Sequence, residues 1–212
     1  MEKNVKTILS AFAVMALALA SAGAMAQFPS IPGMGGSKSG SAPAVNQDAL
    51  VHSYVAANKD VLNANAKMAE ALGLKDASVS AKATADALGD GATKDNLSTA
   101  DKAQSDTTAA IQAKLKDNPT LDAQAKVTYG QGLALLGSGL LKYVAMKPQV
   151  TGISSNPMSM LSGGKAAAVG YIATSVPTNA ANLSSALNNA TSFAKSRDIP
   201  IPADATSALA AI

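Results

Sequence analysis

The sequence predicts an all-α protein: an alanine-rich helical bundle of about five to six helices behind a disordered N-terminal tether. Two observations carry this. Apolar residues recur at helical spacing through most of the chain, and no segment shows the strict alternation of a half-buried strand. The periodic segments are also separated by Gly, Pro and Asn groups and opened by capping residues.

The N-terminus reads as an export signal. Lys3 and Lys6 form a basic start, Ile8–Ala20 is a short apolar run, and Ala24-Met25-Ala26 is a small-x-small cleavage site. Met1–Ala26 is therefore expected to be a Sec signal peptide cut before Gln27, which puts the remainder in the periplasm or outside the cell. The apolar run is short for the roughly 20 residues of a membrane span. Residues 27–45 are rich in Gly, Pro and Ser and read as a flexible tether. Residues 46–212 are expected to form a single helical domain.

Within that domain the first helix is expected at Asn46–Leu72. Asn46 caps it, Asp48 sits near its positive end, and Gly73 stops it. Lys75–Leu88 carries only a thin stripe of Ala77, Ala81, Ala85 and Leu88. The third helix starts at Thr93 or at Ser98, where Ser98-Thr99-Ala100-Asp101 resembles a capping box, and it ends at Asn118-Pro119.

Pro119–Pro148 is the most apolar stretch beyond the N-terminus, and it contains Gly130, Gly132, Gly137 and Gly139. Each glycine costs a helix about 0.8–1 kcal/mol relative to alanine, so close approach of a neighbour is expected to offset it. Asn118 suits the cap, Pro119 the first turn, and Lys147-Pro148 the stop. Leu121, Tyr129, Leu133, Leu136 and Leu140 fall near one face, while Gly130, Ala134 and Gly137 form a second, close-packing face. The expected neighbour of that face is Lys165–Ser175. A short helix is expected through Met158–Leu161. Thr178 should cap a last amphipathic helix ending near Arg197, and Asp204–Ala211 should form a short alanine-rich turn.

Composition removes several classes of function. The net charge is +3 with no basic block, so nothing electrostatic recruits nucleic acid. Aromatic residues make up 3% and tryptophan is absent, which leaves no stacking platform for bases. There is no cysteine and a single histidine, His52, so disulfides and zinc or copper ligand sets are excluded and no metal or cofactor is expected. His52 would have to serve any Ser-His-Asp arrangement, and no G-x-S-x-G elbow accompanies it. It reads as a surface residue of a polar helix. A Ser162–Lys165 dyad can be drawn only on spacing that chance supplies.

No catalytic residue is assigned, and an enzyme is not expected. The expected function is that of an exported non-catalytic protein of the bacterial cell envelope, an interaction or binding module with an envelope protein as partner. Two alternatives are a binder of lipid or another apolar small molecule between helices, and a peripheral protein of the outer membrane. Gly130–Met146 and Lys165–Val176 are too short and too lysine-marked for integral insertion.

Overall fold

The computed structural model describes residues 46–155 and 164–212. Among them are six α-helices and no strand: α1 Gln47–Ala71, α2 Lys75–Ala87, α3 Lys94–Lys116, α4 Ala123–Ser155, α5 Ala166–Ser196 and α6 Ala203–Ala210. The all-α bundle expected from periodicity is the observed fold. The signal peptide and tether expected over 1–45, and the short helix expected through Met158–Leu161, lie outside the described residues.

Side-chain caps set several helix starts. Asn46 accepts a hydrogen bond from the Ala49 amide at 3.1 Å, and Gly73, at φ 75°, provides the left-handed residue that ends α1. For α3 the chain uses Thr93: its hydroxyl accepts from the Asn96 amide while Asn96 Oδ1 accepts from the Thr93 amide, a reciprocal capping box. Ser98–Asp101 therefore lies inside the helix, and Asp101 is no cap.

Three boundaries differ from the sequence expectation. Asn118 does not open α4. It adopts φ 51° just after α3, a conformation that asparagine tolerates better than most residues, and Asp122 caps α4 by accepting from the Ala125 amide at 2.7 Å. Pro148 does not end α4, which continues to Ser155. Its ring is exposed, while Met146, Val150 and Ile153 around it are buried. Burying a Val or Ile side chain is worth about 1.5–3 kcal/mol, enough for two of them to outweigh the roughly 3 kcal/mol of a mid-helix proline. The same balance carries α5 through exposed Pro177, with Val176, Ala180 and Leu183 buried. The two helices expected over Lys165–Ser175 and from Thr178 are thus one. The expected turn at Asp204–Ala211 is a two-turn helix, α6.

The long helices α1 and α4 form the central pair and run antiparallel. Asp60 accepts from Ser138 and from Lys142, each at 2.7 Å, while farther along Lys67 reaches Gln131 at 2.9 Å. α2 and α3 pack on α1, and α5 and α6 pack on α4. The core is mostly Leu, Val and Ala, with Tyr54, Tyr129 and Tyr143 as its largest fully buried side chains.

Candidate functional site

The glycines of α4 divide between two neighbours. Gly132 and Gly139, two turns apart, face α1: a Cβ on Gly132 would lie 2.6 Å from Met68 Cγ and 3.0 Å from the Ala64 carbonyl oxygen, and one on Gly139 would lie 2.6 Å from Val61 Cγ2. Gly130 and Gly137, also two turns apart, face the C-terminal segment. A Cβ on Gly137 would meet the backbone of Asp204 and Ala205 at 2.5 Å, while one on Gly130 would touch Ile199 Cγ2 at an ordinary 3.7 Å. Ala134 is half-buried on the same helix. The neighbour that makes glycine necessary at position 137 is therefore α6, and not the expected Lys165–Ser175. The Gly132–Gly139 pair, absent from the expected face, makes the approach to α1. Its signal was the seven-residue spacing that it shares with Gly130–Gly137.

A polar cluster that the sequence did not reveal joins α1, α3, α4 and α5. The Tyr54 hydroxyl donates to Asp101 Oδ2 at 2.5 Å, and the Tyr171 hydroxyl donates to the same oxygen at 2.6 Å. Asn179 Nδ2 donates to the Tyr54 oxygen at 3.0 Å and lies 3.5 Å from that of Tyr143. The rings meet edge to face, with centroids 5.5 Å apart for Tyr54–Tyr143 and 6.5 Å for Tyr54–Tyr171.

Burial pushes the Tyr54 phenol far above its ordinary pKa, reinforced by Tyr143 and by the Asp101 carboxylate. Burial and then Asp101 do the same to Tyr143, and burial and the Asp101 hydrogen bond raise Tyr171. All three phenols therefore stay protonated, and Tyr54 and Tyr171 act as donors to Asp101; none is poised as a base or nucleophile. Asp101 Oδ1 is buried and has no hydrogen-bond partner, and so is Gln104 Oε1 one turn farther along α3. Beside this cluster a groove of about 340 Å³ runs between α3 and α5, lined by Asp101, Gln104, Thr108, Asn179 and Asn182 among others.

A larger groove, about 590 Å³, lies between α1, α2 and α4. Ala66, Val79, Ala83 and Leu135 form its apolar surface, and Lys67, Glu70, Lys82 and Asp86 bring both signs of charge to it. Val79 is 69% exposed, the most exposed large apolar residue among those described.

His52 is half-exposed, with Nδ1 3.1 Å from Asp90 Oδ1 in the turn after α2. Among the described residues no three His, Cys, Asp or Glu side chains come together as a metal site. Nor is any described helix long and apolar enough to cross a membrane. Ser162 lies outside the described residues.

Fold and site together define a class, an all-α bundle with an internal tyrosine–aspartate cluster and open surface grooves. Comparison with protein-family models, with curated proteins and with solved structures returned no match.

Proposed function

We propose that this chain is an exported, non-catalytic binding module of the bacterial cell envelope that engages a partner protein through the groove between α1, α2 and α4. One observation carries the reading: an open, largely apolar surface with Val79 at 69% exposure. Apolar surface left in water costs free energy that a partner covering it recovers. Lys67, Glu70, Lys82 and Asp86 supply charges of both signs beside it. That pattern suits a protein segment whose apolar side chains are flanked by its own charges. Export rests on the sequence of Met1–Ala26.

A photo-crosslinking residue at Val79 tests the surface directly. In envelope extracts it should yield a discrete crosslinked protein, and Ala83→Arg on the exposed side of the same groove should abolish that product. The same probe at Val127, an exposed residue of α4 that does not line the groove, should yield nothing. Equal crosslinking from both positions, or none from Val79, would overturn the proposal. N-terminal sequencing of the protein from a periplasmic fraction should begin at Gln27.

The volume of the same groove supports a second reading, an apolar small molecule as occupant, since about 590 Å³ falls within the usual range for ligand sites. Native mass spectrometry of protein purified without detergent would then show a mass above that of the polypeptide. A bare polypeptide mass would remove this reading and leave the protein partner.

A further inference from the structure

We propose that the polar groove between α3 and α5 binds a small, hydroxyl-bearing primary ammonium compound, seated on Asp101 and Gln104. The groove shares no lining residue with the partner surface, so this site stands independently of the proposed partner.

Charge sets the first limit. Among the described residues, Asp101 is the only charged one lining the groove, with no lysine or arginine to receive an anion. The acceptors set the second. Gln104 is 95% buried, being only 5% exposed, and its Oε1 has no donor; Asp101 Oδ1 also has none. Buried acceptors left unpaired are rare in folded proteins and unfavourable, the more so for a carboxylate. A ligand that brings N–H groups to both oxygens recovers that loss.

Asp101 is also held in place for the task. Tyr54 and Tyr171 both donate to Oδ2, which fixes the carboxylate and leaves Oδ1 as its unpaired, buried acceptor. On the same helix the Gln104 backbone carbonyl accepts from Asn65 Nδ2 at 3.1 Å, and the side-chain oxygen is left over.

This geometry separates two kinds of cation. A guanidinium prefers to fork across both oxygens of a carboxylate, and here one of them already accepts two phenols. An ammonium needs only single oxygens: one N–H goes to Oδ1, a second to Gln104 Oε1, and a third to a neighbouring amide or hydroxyl oxygen. Ser105, Thr108 and Asn182 give the remaining wall hydroxyl and amide groups suited to ligand hydroxyls. Both orphan oxygens are buried within residues that line the groove, so seating the ammonium on them requires local side-chain rotation, for which the broad terminal torsion of Gln104 gives freedom.

Amide NMR titration of the purified protein with glucosamine, glucose and arginine tests the site. Glucosamine should move the resonances of Asp101, Gln104, Asn179 and Asn182, glucose should not, and arginine should bind more weakly than glucosamine. Asp101→Asn should weaken glucosamine binding at least about tenfold, the loss expected of a charge-assisted hydrogen bond. Should that variant fail to fold, Asn182→Asp decides the matter, because position 182 is exposed and a second carboxylate at the groove should tighten binding several-fold. Unchanged affinity in Asn182→Asp or in a folded Asp101→Asn would overturn the proposal. Equal responses to glucose and glucosamine, or arginine binding as tightly as glucosamine, would do the same. So would the absence of any groove shift up to about 50 mM, well beyond the millimolar range that so small a ligand can reach.

Discussion

Gly137 and Ala205 approach so closely that no side chain fits between them: a Cβ on Gly137 would lie 2.5 Å from the Ala205 nitrogen and 2.6 Å from the Asp204 carbonyl oxygen. The obstacle is backbone, which cannot turn aside as a side-chain tip can. Gly137→Leu should therefore destabilise the fold by about 1–3 kcal/mol or more, with α6 pushed off α4. Gly130 on the same face provides the contrast, because its nearest contact at 3.7 Å leaves room. Gly130→Ala should stabilise by up to about 1 kcal/mol through helix propensity alone. Urea melts of the two variants should move in opposite directions, and equal shifts would contradict the close-packing argument.

The tyrosine–aspartate cluster predicts a graded series. Tyr54 is fully buried and both donates to Asp101 and accepts from Asn179, so Tyr54→Phe should cost about 1.5–3 kcal/mol, the range for hydrogen bonds to charged groups. Tyr171 is only partly buried, and Tyr171→Phe should cost less. Combining the two should cost more than their sum, because Asp101 Oδ2 then loses both donors. Strict additivity in a double-mutant cycle would show that the two phenols do not share the carboxylate.

Alkaline unfolding should follow from the buried phenols. Burial raises Tyr54, Tyr129 and Tyr143 in the folded state above the ordinary value of 10.0 that they regain on unfolding. Below that pH both states hold the protons, and these residues add no pH dependence. Above it the unfolded chain alone releases them, so stability should fall by about 1.4 kcal/mol per pH unit for each such tyrosine. Near-ultraviolet tyrosinate absorbance and helical circular dichroism should then change together in one transition. Ionisation of all four tyrosines while the helices persist would contradict the burial described.

Pro177 offers a gain. It lies exposed in the middle of α5, where proline is about 3 kcal/mol less favourable than alanine. Pro177→Ala should raise the thermal midpoint without altering the helical signal at low temperature. A lower midpoint would mean that the proline sets a bend on which the packing of α5 depends.

Local chemistry made much of the fold legible. The cap at Asn46, the stop at Gly73 and the alternative start at Thr93 depend on residues within a few positions of one another, and the helices use them. Legibility failed where distant packing competes with a local rule. Pro148 read as a stop, and Thr178, just after Pro177, read as the cap of a new helix, yet buried Val150, Ile153, Val176 and Leu183 accompany helices that run on through both prolines. Asp101 read as part of a helix start because its partners Tyr54 and Tyr171 lie 47 and 70 residues away. Nothing in its neighbourhood along the chain distinguishes it from the solvated aspartates.

By itself, the sequence determined the all-α class, the cysteine-free composition and some helix ends, such as the cap at Asn46 and the stop at Gly73, because helical period and capping act over one or two turns. Tertiary structure alone decided which glycines admit α1 and which admit α6, that two prolines are overridden, and that one aspartate of many sits among three phenols. Those outcomes depend on which residues far apart in the chain come within a few ångströms, and the free energy of such contacts outweighs local preferences of a kilocalorie or a few.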